Sequence, residues 1–396
     1  MKPGSVSDGA LAPTLPGRFY HDPAIWELEQ ARLFSRRWVC VGRADQLPVP
    51  GDYRTVTVGP ESIIVVRGED DGLRAFLNVC RHRGARLCPS EPGRARALRC
   101  RYHAWTYGLD GTLVGAPGVQ DVAGFDRRGF GLIPVALETW EGLVWVSLAE
   151  APPPLRDQLV PQLATRCGDA EQLRPYRIGE LRVARTIEYE VRANWKLVVE
   201  NFMECYHCAP MHPELVRWLP AFRSGVTQEP GLGTRLADDA EALTLSGRAP
   251  ASPFAGLPAG HERHYFGLVL RPNVFLNLLP DHVIIHTLSP LGPDRSRVVC
   301  DWLFDPEATA RPGFDPTDTV ELFDRVNRQD WEVCQWVQQS VGSRAFRAGG
   351  VYVPVERHIR GFNDFVLAEL GLSGEGGALL GESDQPGAAP PSRAGA

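Results

Sequence analysis

The sequence predicts an α+β protein of two unlike domains, on three observations. Short β-rich runs broken by turn residues fill positions 38–150. A stiff Pro152-Pro153-Pro154 run follows. Beyond it, strand patterns alternate with two helical stretches, and the 396 residues suffice for two separate cores. The net charge of −6 gives no reason to expect nucleic acid or an anionic membrane as partner. No apolar run approaches the roughly 18 residues of a membrane span, and the N-terminus lacks the apolar centre of a signal peptide. Nine cysteines, odd in number and scattered, do not read as a disulfide framework, so a cytoplasmic location is expected. Only Lys2 and Lys196 of the 42 basic residues are lysine, which reflects a compositional bias rather than a basic patch.

Residues 1–16 are rich in Pro, Gly, Ser and Ala without periodicity, and are predicted to be disordered. A first domain spans 17–150. It opens on a helix with Asp22 as N-cap, Pro23 at the first position and Ile25, Leu28 and Phe34 on one face. YRTVTV and SIIVVR, separated by Gly59-Pro60, read as paired strands; AWTYGLDGTLV reads as a hairpin with Asp110-Gly111 at its tip. LIPVALETW and LVWVSL flank Glu141-Gly142. A second domain spans 151–370. Its elements are a strand over 181–192, a helix from Asn194 to about Cys208, strands within GLVLRPNVFLNLLPDHVIIHTLSPL and RVVCDWLF, and a long helix from Asp315-Pro316 to about Val341. The Gly/Ala/Pro/Ser-rich tail, 371–396, is predicted to be disordered. No internal repeat or dinucleotide-binding G-x-G-x-x-G unit is present.

Two groups of residues carry chemistry. Cys80-x-His82 and Cys100-x-x-His103 stand seventeen residues apart, and each offers one thiolate and one imidazole. A Rieske [2Fe–2S] centre has two Cys on one iron and two His on the other, so each loop must reach both irons. The imidazoles raise its potential to about −150 to +300 mV, against about −400 mV for an all-Cys plant-type cluster. The competing Cys2His2 zinc site pairs like ligands along the chain, whereas unlike ligands are paired here. Tyr102 and Trp105 are expected to cover the cluster, Tyr102 as a donor to a bridging sulfur. Cys88 reads as packing.

The second group is NWKLVVENFMECYHCAPMHP, 194–213. Glu204 and His207 are three apart and share a helical face. His212 would lie on the wrong face of a continuous helix, but Pro210 and Pro213 end the helix and let it swing back. Two His and one carboxylate on one face hold Fe(II) in oxygenases and leave positions open for O2. The third ligand is sought on the 315–341 helix, where Val320, Phe323, Asn327, Asp330, Cys334, Val337 and Val341 form a core-facing seam. A carboxylate on such a seam is costly unless paired or metal-bound, which selects Asp330 over Asp318, Glu321, Asp324 and Glu332; an Asp paired with a buried Arg is the alternative. Cys205-x-x-Cys208 reads as a reduced, structural pair. Lys196 should pair with a carboxylate or cover the helix start. Asp281, His282 and His286 could touch substrate or be satisfied core groups. Phe202, Tyr206 and Trp218 could form an aromatic cage for a cation or simply pack.

With these motifs in this order, the chain resembles the Rieske non-haem iron oxygenase α subunits. The resemblance rests on the two Cys-His pairs, on Asn194-Trp195-Lys196, Glu200-Asn201, Glu204-x-Tyr206-His207 and His212-Pro213, and on Gln329-Asp330. It implies a cluster held by Cys80, His82, Cys100 and His103, and a mononuclear Fe(II) held by His207, His212 and Asp330. It implies a helix-grip second domain, an antiparallel sheet wrapped over the C-terminal helix. It also implies a head-to-tail homotrimer in which Glu204 couples one subunit's cluster histidine to its neighbour's His207. Electrons would come from NAD(P)H only indirectly, through a separate reductase of flavin or ferredoxin type, and the reactants would be O2 and a small molecule. Most aromatic-ring members carry Asp at position 204. Glu204, with ECYHC and LLPDHV, is similar instead to the glycine betaine, carnitine and stachydrine monooxygenases, which implies oxidative N-demethylation of a quaternary ammonium compound. An aromatic or natural-product substrate, and a non-enzymatic Rieske electron carrier, stay open as alternatives.

Overall fold

The computed structural model describes residues 11–89, 91–119, 121–225, 233–258, 260–356 and 358–372. The disorder predicted for 1–10 and 373–396 lies outside those residues. Within the predicted N-terminal coil, Ala12–Pro13 (β1) forms a short antiparallel pair with Val351–Tyr352. Thr14 N donates to Gly350 O at 3.1 Å, and Gly350 N to Thr14 Oγ1 at 2.8 Å. Burial of Ala12 and Leu15 and this long-range pairing order a stretch whose composition alone suggests coil.

Helix α1, Pro23–Glu29, is capped as expected, Asp22 Oδ1 accepting from Ala24 N at 2.9 Å, and runs into a π-turn over Gln30–Phe34. The strands that follow are β2 Val39–Arg43, β3 Asp52–Val58, β4 Glu61–Arg67, β5 Leu73–Leu77, β6 Gly93–Arg94, β7 Leu98–Arg99, β8 Thr106–Tyr107, β9 Leu113–Gly115, β10 Pro134–Trp140 and β11 Leu143–Ser147. Seven of them form an antiparallel sheet in the order β2-β11-β10-β5-β4-β3-β6, and β7-β8-β9 form a small sheet beside it. Strand β4 shows why two sheets are needed. Ile63 to Val66 are all buried, and alternation sends Ile64 and Val66 toward a core with Cys80 and Cys100, while Ile63 and Val65 join the large central core.

After the proline run, α2 (Leu155–Cys167) buries Leu155, Leu159, Leu163 and Cys167, an i, i+4 stripe. Strand β12 (Arg182–Val191) is followed by α3 (Trp195–Met203), α4 (Cys208–Met211) and α5 (Pro213–Trp218). Then come β13 Thr234–Arg235, β14 His264–Leu270, β15 Val274–Leu278, β16 His282–Gly292 and β17 Arg295–Phe304. They build a six-stranded antiparallel sheet in the order β12-β17-β16-β15-β14-β13. Short α6 (Pro306–Thr309) leads to α7 (Thr317–Ser340), then β18 (Val351–Tyr352) and α8 (Ile359–Leu370).

Helix α7 packs on the sheet through Thr319, Leu322, Phe323, Val326, Asn327, Trp331 and Cys334. The predicted seam is therefore rotated: Val320 and Asp330 are half-buried and Val337 is exposed. The true stripe is broader than a narrow seam because a helix lying on a sheet buries a wide face. Asp330 sits at its edge, where a carboxylate can reach a cavity. The two halves of the chain are stitched together. Asn273 exchanges two hydrogen bonds with the backbone of Cys40, at 3.0 and 2.8 Å, and Gln158 bridges Trp38 and Arg271. Among the described residues no helix is long and apolar enough to cross a membrane.

Candidate metal centres

The two cysteine-histidine loops are built alike. Cys80 N donates to Ala85 O and Cys100 N to Trp105 O, both at 2.8 Å; Gly84 N returns to Cys80 O and Ala104 N to Cys100 O, both at 3.0 Å. Each turn closes on a residue with positive φ, +74° at Gly84 and +59° at Ala104. This local duplication escapes sequence inspection, because the histidines sit at different offsets. Cys80 and Cys100 are free and buried, and the rings of His82 and His103 lie 4.7 Å apart. Desolvation, with His82 and Arg83 nearby, lowers the pKa of His103, favouring the neutral imidazole that a metal requires. Its Nδ1 is buried without a hydrogen-bond partner among the described residues. Two buried thiols and two adjacent imidazoles, one with an orphan nitrogen, fit a Rieske cluster.

Trp105 is buried and stacks on His82 at 5.0 Å, as a cover should. Tyr102 is 57% exposed and lies against His103. Tyr107 places its hydroxyl 3.4 Å from Cys80 Sγ while accepting from Arg81 N at 2.9 Å. Its position five residues beyond Tyr102 gave no signal, since only the β8 hairpin folds it beneath the loop.

In the second group the helix ends five residues earlier than expected. Helix α3 stops at Met203 and Glu204 is extended, with φ −129° and ψ 164°. Glu204 and His207 therefore meet across a turn rather than on one helical face. Glu204 Oε2 accepts from the backbone of Tyr206 and His207, and Oε1 bonds His207 Nδ1. His212 closes α4 with φ −126° and ψ 65°, just before Pro213, as the prolines predict. Both imidazoles then face one carboxylate oxygen: His207 Nε2 lies 3.1 Å and His212 Nε2 2.9 Å from Asp330 Oδ1. The outer nitrogen of His212 meets Gln329 Oε1 at 2.7 Å, a partner sequence reasoning missed although it adjoins Asp330. Each histidine thus has Nδ1 engaged and Nε2 turned inward, the arrangement that orients metal-binding imidazoles.

Burial lowers the pKa of His207, but Asp330 and Glu204 outweigh it and push it up to about 10. Burial raises that of Asp330, and the two imidazoles outweigh it and hold the carboxyl at about 2. A dication at this spot would replace the shared proton. The donor set, two imidazoles and a carboxylate converging from α4, the α5 start and α7, fits Fe(II). The side-chain donor of Cys208 also lies within 4.8 Å of those of the two histidines. Its sulfur is bonded instead to Cys205, contrary to the reduced pair expected. Cys205 lies in the loop after α3 and Cys208 opens α4, with Cα atoms 4.8 Å apart, inside disulfide range.

A cavity of about 980 Å³ opens on these ligands. Its rings include Phe202, Phe222, Tyr265, Phe323 and Phe362. Tyr206 and Trp218 are not among its lining residues: the first is exposed and the second is buried against Gly247. His286 lines it, held neutral because burial pushes its pKa down to about 4, between Asn277 Nδ2 at 3.3 Å and Asn327 Oδ1 at 3.1 Å. His282 does not line it; it bonds Asp281 at 2.8 Å and stacks on Phe304. Lys196 is fully buried and paired with Glu29, which also accepts from Trp195 Nε1 at 2.8 Å. Among the described residues no contact joins a cluster histidine to Glu204 or His207.

The model of the Rieske [2Fe-2S] domain matches residues 37–126, and that of the ring hydroxylating alpha subunit (catalytic domain) matches residues 178–371. The chain is 33% identical over 369 residues to the glycine betaine monooxygenase oxygenase subunit of Chromohalobacter salexigens, covering 85% of this chain and 81% of that protein. It is 30% identical over 346 residues to the carnitine monooxygenase oxygenase subunit of Acinetobacter pittii, covering 86% and 88%. The solved apo form of the quaternary ammonium Rieske monooxygenase CntA aligns with a TM-score of 0.71 at 27% identity, over 91% of this chain and 96% of that one. Naphthalene 1,2-dioxygenase from Rhodococcus sp. shares the fold at 20% identity, with a TM-score of 0.68 over 91% and 94%. The Rieske domain carries a [2Fe–2S] cluster, the catalytic domain uses a mononuclear iron, and a reductase supplies the electrons. The chain belongs to the Rieske non-haem iron oxygenase α subunits, and it is an oxidoreductase that works as the oxygenase subunit of a multicomponent system.

Proposed function

We propose that this oxygenase hydroxylates an N-methyl group of a quaternary ammonium substrate. His207, His212 and Asp330 would hold Fe(II), and Cys80, His82, Cys100 and His103 the cluster. The observation that carries this is the convergence of both Nε2 atoms on Asp330 Oδ1 at one wall of an aromatic cavity. Bound iron supplies O2 activation. The chain's own residues do the rest. Rings of Phe202, Tyr265 and Phe323 can present π faces to a trimethylammonium group, an attraction of about 0.5–2 kcal/mol per ring. The apolar walls limit water, and Glu204 orients His207 through Nδ1.

The overall change balances as R–N(CH3)3⁺, O2, two electrons and one proton giving R–N(CH3)2, formaldehyde and water. Hydroxylation forms the C–O bond at one methyl, and the resulting carbinolammonium loses its hydroxyl proton as the C–N bond breaks. Relatives named for glycine betaine and carnitine support the substrate class. A division at about residue 150, into 17–150 and 151–370, is supported by two sheets that each close within those limits. A cytoplasmic homotrimer, with Glu204 facing a neighbour's cluster histidine, completes the proposal. It is supported by the lack of an in-chain contact between them among the described residues, and by the solved relative whose description names inter-subunit electron transfer.

The test is turnover by the reconstituted protein with a surrogate reductase, against betaines and aromatic acids, with formaldehyde trapped. Formaldehyde equal to amine formed supports the reading. Ring hydroxylation without formaldehyde would overturn it.

A further inference from the structure

The cavity wall supplied by α2 carries charge that the iron site does not use. Arg166 lines the cavity, and its Nε donates to Gly267 O at 3.2 Å. Among the described residues the rest of its guanidinium has neither a hydrogen bond nor a carboxylate partner. Arg271 also lines the cavity, bonded to Gln162 Oε1 at 3.2 Å and lying 4.6 Å over the Phe365 ring, again without a carboxylate. The nearby Glu369 is committed to Arg37. The two acids that line the cavity, Glu204 and Asp330, are committed to imidazoles.

Two uncompensated guanidinium groups are out of place in a pocket for a simple cation. They repel it, and burial makes an unpaired charge costly. The conflict disappears if the substrate brings its own anion. Arg166 has free N–H groups in the fork geometry that suits a carboxylate. Arg166, Tyr265, His207, His212 and Asp330 all line this one cavity, so the guanidinium and the proposed metal ligands share its walls.

Resting on the quaternary ammonium reading, we propose that Arg166 is a specificity-determining residue that binds the substrate's carboxylate. Arg271 reinforces the positive potential beside it. The enzyme therefore selects zwitterionic betaines and discriminates against trimethylammonium alcohols, which carry the same reacting methyl groups without the anion.

Binding to the reconstituted holoprotein without its reductase, by calorimetry, separates recognition from turnover. The probes are a series of trimethylammonium carboxylates with one to four methylenes, and for each the matching trimethylammonium alcohol. Wild type should bind at least one carboxylate better than its alcohol. Arg166→Gln should weaken that carboxylate by roughly 10- to 100-fold and leave the alcohol unchanged. Arg166→Lys should recover part of the loss, which also shows that the position tolerates substitution. In turnover by the loaded enzyme the loss should fall on KM rather than kcat. Equal loss of both ligands, or a carboxylate bound by Arg166→Gln as tightly as by wild type, overturns the role of Arg166 and leaves the quaternary ammonium reading standing. Wild type that binds neither ligand series overturns that reading, and this proposal with it.

Discussion

Tyr107 lies beneath the first Cys-His loop, with its hydroxyl 3.4 Å from the sulfur of a proposed cluster ligand. Its hydroxyl oxygen is occupied by the Arg81 amide, so its own proton is free for Cys80 Sγ. Hydrogen bonds to ligand sulfur draw charge off the cluster and favour its reduced form. Tyr107→Phe should keep the brown cluster and lower its midpoint potential, read by redox titration of the reduced EPR signal; an unmoved potential would dissociate the bond from tuning. Glu204→Gln should retain both kinds of iron by metal analysis. It should slow single-turnover electron arrival about 10–100-fold, the usual cost of losing an outer partner of a metal-binding histidine. Equal single-turnover rates would remove Glu204 from the route. The proposed ligand residues were legible in the sequence because metal chemistry demands particular side chains at short spacings. Tyr107, Gln329 and Arg166 were not, because each reaches its place through tertiary packing.

Among elements, α3 shows where pattern reading stops. Its capping Asn194 and its apolar face are plain in the sequence, but its end is not. The predicted end near Cys208 rests on proline positions, whereas the side chain of Glu204 captures the amides of Tyr206 and His207 and the helix ends at Met203. Within α3, Glu200 is buried and accepts from Tyr20 Oη at 2.9 and 3.1 Å. Burial raises its pKa from 4.5 to about 7. The folded state then holds a proton that the unfolded state has released. This contribution to stability is complete below pH 4.5 and is lost as the pH climbs to about 7, by at most about 3 kcal/mol. Glu200→Gln should flatten that part of the stability profile in urea titrations at pH 5 and pH 8. A wild-type-minus-variant difference that does not change with pH would contradict the assignment. The edge position of Asp330 on α7 belongs at this scale too: heptad-like spacing found the residue, but only a broad sheet-facing stripe explains its access to the cavity.

The whole molecule raises the question of which cluster feeds which iron. Mixing two inactive variants decides it. Cys100→Ala should lack the cluster and keep the mononuclear iron, and Asp330→Ala the reverse. Assembled together from unfolded or dissociated chains, they should regain a fraction of wild-type turnover, on the order of a quarter or less on random mixing, if electrons cross between subunits. Electron transfer confined to one chain predicts none. The two-domain plan was legible because sheet-forming alternation and the proline run are local signals. The β1–β18 pair was not, since its partners are coded at opposite ends of the sequence.

That pair also has a consequence for how the protein is made. Thr14 and Gly350, bonded beside it, stand 336 residues apart. At about 5–20 residues per second the first must wait roughly 17–70 s for the second to leave the ribosome. The loops of Cys80 and Cys100 emerge far earlier than Asp330 does. Under the proposed ligand assignment, both cluster loops are made while the iron site still has only its two imidazoles. The clasp at Ala12–Pro13 can therefore be fastened only after both domains have been made.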